Sequence, residues 1–244
     1  MNARHLLIDA GNTRLKWAVM AGGQWQTHGR SEYSDLSALS AVLSVGLNCT
    51  IASVAKTQHE NLIRLLLAEF DIEPRWLEAE AQFQDVINTY ANPKLLGVDR
   101  WMGLIAARQR SQASTLVVSL GTAMTVDALS ADGVFLGGLI APGRSLLQQS
   151  LQQGTAHVGK VTGIWCAFPQ STADAVQSGI VSALSGAIRL QYARLAEQCG
   201  CTPQCLLTGG DAAMMLPHLD LAVEHVPLLV LEGIERVVRE EMAG

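Results

Sequence analysis

The strongest constraint on this chain is a motif that occurs twice. Leu6–Val19 reads LLIDAGNTRLKWAV and Leu116–Leu129 reads LVVSLGTAMTVDAL. Each is an apolar run, a polar turn with one glycine, and a second run with partial alternation. That is the pattern of strand, tight turn, strand. Gly121 follows Gly11 by 110 residues, and on the same offset Ser119 stands where Asp9 stands and Thr122 where Asn12 stands. Two such hairpins imply two related halves.

The segments after each hairpin support the duplication. In the first half Gly22-Gly23 makes a turn into a third strand, Trp25–Arg30. A helix over Leu36–Val45, a strand over Cys49–Val54, a helix over His59–Phe70 and a strand over Pro74–Leu77 follow. In the second half Asp132-Gly133 turns into Val134–Ala141, Arg144–Gln153 is helical, and Thr172–Gln198 is a long helix. Strands over Cys205–Thr208 and Leu221–Val226 flank a short helix at Asp211–Leu216, and Leu228–Met242 closes the chain as a helix. A meander of three strands followed by alternating helix and strand gives a mixed five-stranded sheet flanked by helices, so the fold class is α/β with two duplicated lobes. The expected lobes are 1–112 and 113–244, with Gly97–Arg110 as a helix bridging them. Gly154–Gln170 reads as a long loop, and His157 within it as a solvated side chain.

Composition narrows the function. The formal net charge is -5 with 16% charged residues, and no cluster of Lys and Arg offers a nucleic-acid footprint. The first residues lack both a membrane-spanning stretch and a signal peptide, which points to the cytoplasm and away from membranes. The five cysteines have no CxxC pairing and no adjacent histidine to complete a zinc site, so they read as ordinary buried thiols.

Three stretches carry chemistry. Asp9-Ala-Gly-Asn-Thr-Arg-Leu-Lys16 puts a carboxylate at the end of a buried strand, which calls for a cationic partner such as nucleotide-bound magnesium. Gly11 allows close approach to a phosphate, Asn12 and Thr13 add donors, and Lys16 adds a cation. A plain Gly-Asn hairpin remains the alternative for this stretch alone. Gly121-Thr122, with Thr125 and Asp127 beyond, repeats the glycine-plus-hydroxyl turn, and two such turns facing each other make a clamp for a polyphosphate. Phosphoryl transfer asks mainly for positioning and charge stabilisation. Gly97-Val-Asp99-Arg100 opens a helix, where Asp99 could take a proton from an attacking hydroxyl and Arg100 could grip an anion. An N-cap Asp beside a surface Arg is the competing reading. Gly137-Gly138, Pro142-Gly143 and Thr208-Gly-Gly-Asp211 are further glycine turns able to seat a flat base or ribose, or simple strand-to-helix turns. One of Ser171 and Thr172 caps the long helix.

Taken together, these motifs resemble the type III pantothenate kinase family, also known as the Bvg accessory factor family, within the acetate and sugar kinase, heat-shock protein and actin superfamily. Asp9–Thr13 with Lys16, Tyr90 with Pro93, Leu96–Trp101, Gly121–Asp127, Gly137–Gly143, Ser171-Thr172 with Ser178-Gly179, and Thr208–Gly210 run in family order over nearly the whole chain. The resemblance implies two ribonuclease H-like lobes and ATP-dependent phosphorylation of pantothenate to 4′-phosphopantothenate, the first step toward coenzyme A. It implies a homodimer, with Mg2+ at Asp9, directly or through water. It assigns Asp9, Ala10, Gly11, Asn12, Thr13, Arg14, Leu15, Lys16 and Thr122 to ATP. It assigns Tyr90, Gly97, Val98, Asp99, Arg100 and Thr172 to pantothenate, with Asp99 as general base. Many family members carry Asp at the position of Ser119, where it helps to bind K+ or NH4+. A neutral hydroxyl there implies weaker dependence on a monovalent cation. A kinase of another small alcohol, or a regulatory nucleotide-binding homologue, is the alternative reading.

Overall fold

The computed structural model describes residues 4–155 and 162–243, so His157 lies outside the described residues. In chain order come β1 (Arg4–Ala10), β2 (Arg14–Ala21), β3 (Gln24–Glu32), α1 (Ser37–Ser40), β4 (Asn48–Ser53), α2 (Thr57–Ala68) and β5 (Pro74–Trp76). A small ribbon of β6 (Gln82–Phe83) and β7 (Val86–Ile87) precedes α3 (Val98–Arg110). The second motif supplies β8 (Thr115–Leu120), β9 (Ala123–Leu129) and β10 (Phe135–Pro142). Then follow α4 (Arg144–Gly154), α5 (Thr172–Cys199), β11 (Gln204–Thr208), α6 (Ala212–Met215), β12 (Glu224–His225) and α7 (Leu229–Ala243).

The duplication is visible in the sheets. One has the order β3-β2-β1-β4-β5 and the other β10-β9-β8-β11-β12. In each, the hairpin and third strand run antiparallel and the last two strands run parallel to the first. The two turns differ by one residue. Gly11, Asn12 and Thr13 separate β1 from β2, whereas only Gly121 and Thr122 separate β8 from β9. The constant offset read from sequence therefore holds up to the glycine and slips just after it.

The chain divides into two compact units, residues 1–110 with 228–244 and residues 111–227. The boundary expected at 112 falls near the join, but the closing helix belongs with the first unit rather than the second. α3 belongs wholly to the first unit and does not bridge. Chain order alone could not show this, because α7 reaches its partner by contact, not by adjacency. Its buried Val230, Leu231, Ile234, Val237 and Val238 form one stripe, and α7 packs along α3 and against β1.

The first unit's core joins Leu6, Ile8, Trp17 and Ile51 of the sheet to Leu39 and Ile63 of α1 and α2. The second joins Leu116, Val118, Val126 and Leu207 to Ile180, Leu184 and Ile188 of α5. The helix expected over Leu36–Val45 shortens to four residues. Leu39, Leu43 and Leu47 are buried at helical spacing, but the backbone tightens into turns, with Val42 N donating to Leu39 O and Leu43 N to Ser40 O, both at 3.1 Å. The last strand shrinks from Leu221–Val226 to Glu224–His225.

Gly233 of α7 shows how closely the two helices meet. A Cβ there would lie 2.0 Å from the Met102 carbonyl oxygen of α3. Alanine is the better helix former by about 1 kcal/mol. Even so, Gly233→Ala is expected to lower stability by about 1–3 kcal/mol, because the clash is with backbone and cannot relax by a rotamer change. A fall in the urea midpoint checks this; a rise would mean that the helices are not locked at this point.

Candidate functional site

The first unit brings the charged candidates together. Asp9 ends β1 directly across from Lys16 on β2. The pairing places both side chains on one face of the sheet, with Lys16 Nζ 3.9 Å from Asp9 Oδ2. Burial pushes the Asp9 carboxyl up to about 6, Lys16 pulls it back, and the Asp99 charge pushes it up again. The Asp99 charge is thus felt at Asp9, and α3 packs against β4, the strand beside β1. Two carboxylates share this region, although they lie 90 residues apart in sequence.

Asp99 lies in the first turn of α3, inside the helix rather than at its N-cap. Its Oδ1 accepts from the Arg100 backbone N–H at 2.9 Å. Burial raises its pKa, opposed by that hydrogen bond and by the Arg100 guanidinium. A Cβ at Gly97 would sit 2.7 Å from Asp99 Oδ1, so a side chain there would push that carboxylate aside. Arg100 is no surface residue: it is 6% exposed. Its Nη1 donates to the Tyr90 hydroxyl at 3.1 Å, and its guanidinium lies 5.9 Å from the centre of the Tyr90 ring. Val98 is buried beside them and packs into the core.

Two supporting residues escaped the sequence reading. Asn88 is buried and pins the segment before α3. Its Nδ2 donates to the carbonyls of Glu80 and Pro93, and its Oδ1 accepts from Tyr90 N, each at 3.1 Å. Tyr33 follows β3, and its hydroxyl donates to the Gly11 carbonyl at 2.6 Å. Its ring stacks on His59 at 3.8 Å between centroids. Burial, then Asp9 and Glu60, raise the Tyr33 pKa and keep the hydroxyl protonated as a donor. Neither residue has a periodic or motif signal, since Tyr33 acts through one bond to a distant carbonyl and Asn88 through three bonds to irregular backbone nearby. Within the turn, Gly11 N donates to Arg14 O at 3.2 Å and leaves Asn12 and Thr13 exposed. Ala10 and Leu15 are buried in the sheet, so their side chains serve the core, and any contact with a nucleotide would come from their backbone.

The second unit builds its site from backbone. Gly121 N donates to Ala123 O at 3.0 Å, closing the turn that carries Thr122. Gly143 donates from its N–H to Thr122 O at 2.9 Å, and a Cβ on it would come within 2.1 Å of the Gly121 oxygen. Gly209, at φ +100°, would place a Cβ 2.2 Å from the Leu120 oxygen, which itself accepts from Asp211 N at 3.0 Å. Three glycine turns that are far apart in sequence thus meet around Gly121-Thr122. Arg144 Nε lies 3.7 Å from Asp211 Oδ1 across them. Gly137, at φ +118°, stands elsewhere with open space around it. Ser119 faces Thr125 on β9 and Thr208 on β11 in register, so neutral hydroxyl residues meet at the level where the first unit has Asp9 and Lys16. Ser171 is the cap of α5, its Oγ accepting from Asp174 N at 3.1 Å, which leaves Thr172 exposed as the first helical residue.

Comparison with known proteins places this geometry in a family. Residues 5–194 match the model for type III pantothenate kinase. A type III pantothenate kinase from Thiobacillus denitrificans is 58% identical over 239 residues, covering 98% of this chain and 98% of its own. The crystal structure of a Baf family protein from Campylobacter jejuni superposes with a TM-score of 0.64 at 20% identity, covering 98% of this chain and 100% of the other. MreB5 of Spiroplasma citri bound to ADP gives a TM-score of 0.52 at 10% identity, with 99% of both chains covered. The structural likenesses show that the fold is shared with these proteins, and the sequence matches establish that the chain belongs to the type III pantothenate kinase family.

Proposed function

We propose that this chain transfers the γ-phosphoryl group of ATP to the primary hydroxyl of pantothenate, giving 4′-phosphopantothenate, the first step toward coenzyme A. The observation that carries the reading is the meeting of Asp9, Lys16 and Asp99 in one unit, with Arg100 buried beside them. Family membership supplies the substrate; this cluster supplies groups suited to the chemistry.

In the mechanism, Asp99 accepts the proton of the pantothenate hydroxyl as it attacks phosphorus. Burial raises its pKa, which makes it a better base than an exposed carboxylate. Arg100, held by Tyr90, presents a fixed fork to the pantothenate carboxylate. Gly97 and Val98 stand at the same helix start, and the family resemblance assigns Thr172 to the substrate as well. The 9–16 loop and Thr122 are assigned to ATP phosphates, with the exposed Asn12 and Thr13 side chains, the Thr122 hydroxyl and the Lys16 ammonium as donors. Asp9 fits a divalent cation, since its buried carboxylate has Lys16 no nearer than 3.9 Å. It would hold Mg2+, which when bound neutralises phosphate charge. A coupled assay of ADP release should show turnover with pantothenate and not with sugars or acetate. Asp99→Asn should lower kcat about 10²–10⁴-fold with little change in ATP affinity. Equal kcat in that variant would remove Asp99 from the role, and ATP binding without pantothenate-dependent turnover would favour a regulatory homologue.

The hydroxyl residues around Ser119 offer a monovalent cation no carboxylate. Activity should therefore change little when potassium or ammonium replaces sodium at constant ionic strength. A steep requirement for either ion would show that other groups supply the missing charge.

A homodimer fits the apolar side chains that the second unit leaves unburied. Ile140 on β10 is 65% exposed and Phe168 is 90% exposed, and α4 buries none of its side chains although Leu146 and Leu151 lie on it. Light scattering should report twice the chain mass, and Phe168→Asp should shift the population toward monomer. An unchanged dimer in that variant would place the interface elsewhere.

A further inference from the structure

The sequence reading of the cysteines as ordinary buried thiols holds for Cys49 and Cys205, which are 4% and 2% exposed, but not for the pair at the end of α5. Cys201 is exposed and Cys199 partly so. Their Sγ atoms stand 2.8 Å apart, and neither belongs to the machinery assigned above.

The backbone forces this approach. Gly200 caps α5 in the left-handed conformation, at φ 61° and ψ 25°, and turns the chain so that residues on either side present their sulfurs to one another. The turn is tied down on both sides. Tyr192 donates from its hydroxyl to Pro203 O at 2.9 Å, and Gln204 N donates to Ser114 O at 2.9 Å, so the segment is anchored where it enters β11. Ser114 is itself 2% exposed, so this anchor is buried. A bridge requires converging Cβ–Sγ bonds, and here the convergence exists before any bond is made.

We propose that Cys199 and Cys201 are a redox modification site: a vicinal dithiol that closes to an intramolecular disulfide by exchange with a low-molecular-weight disulfide. Cys199 is the attacking thiol. The hydrogen bond from Cys201 holds the Cys199 thiol below its ordinary pKa, while Cys201 is held above. The Cys199 thiolate bonds to one sulfur of the small disulfide, whose S–S bond breaks and releases one thiolate. Cys201 then gives up its proton and attacks Cys199 Sγ, releasing the second small thiolate. Both leaving thiolates are protonated by the two protons lost from the protein. Two protein thiols are oxidised and one small disulfide is reduced to two thiols.

The test uses the folded full chain with oxidised glutathione as the probe. After the free thiols are blocked, intact-mass analysis should show loss of two hydrogen atoms, and peptide mapping should join Cys199 to Cys201. A dithiol reductant should reverse the change. Cys199→Ser and Cys201→Ser, with unaltered circular dichroism, should each retain a glutathione adduct on the remaining cysteine and lose no hydrogens. A wild-type product carrying only glutathione adducts, or no change at these two positions, would overturn the proposal. So would the same two-hydrogen loss in Cys199→Ser.

Discussion

The partly buried carboxylate of Asp9 is the constraint around which the first unit is organised. A charge at the end of a buried strand is costly, and the fold meets that cost only in part. Lys16 opposes it from the neighbouring strand at 3.9 Å, close enough for attraction and too far for a hydrogen bond. Asp99 then adds negative charge from another element. Burial above all, and the Asp99 charge after it, keep the Asp9 carboxyl well above its usual range, which suits the approach of a metal-bound polyphosphate. Arg100 offsets Asp99 rather than Asp9, with its guanidinium held by the Tyr90 hydroxyl.

The second unit solves a different problem with different means. Around Gly121-Thr122 the determinant is space, not charge. Gly143 and Gly209 approach so closely that a single methyl on either would collide with a carbonyl oxygen. Carbonyls and amides from three chain segments are thereby packed at one turn. Such a surface offers backbone donors at fixed positions and little net charge. The two halves kept one topology and diverged in chemistry: carboxylates and cations gather at the first turn, hydroxyls and bare backbone at the second.

Most of this architecture was readable from the chain because it rests on local pattern. The two hairpins, the third strands and the long α5 follow from apolar runs broken by glycine turns, and the sheets repeat as the duplication requires. What could not be read depends on single long-range contacts. The burial of Leu39, Leu43 and Leu47 imitates a helix where the backbone makes successive tight turns. α7 joins the first unit because its apolar stripe matches α3, which no window of sequence reveals. Tyr33 and Asn88 each act through hydrogen bonds to a backbone that is remote or irregular, so neither leaves a periodic trace. The Asp99-Arg100 pair was legible as chemistry but not as structure. Its sequence fits an exposed helix start as well as a site, and only the burial of Arg100 decides between them.

The position of α7 gives the end of the chain a part in the site. α3 carries Asp99 and Arg100 at one end and is held along its length by α7, with backbone against backbone at Gly233 and Met102. At its far end Arg110 Nη1 reaches Glu232 Oε2 at 2.7 Å. A helix fixed at two such points cannot slide or rotate by a fraction of a turn without breaking one of them. Asp99 therefore keeps its place in the first unit through packing supplied by α7. The first unit is completed by a segment that follows the second unit in the chain.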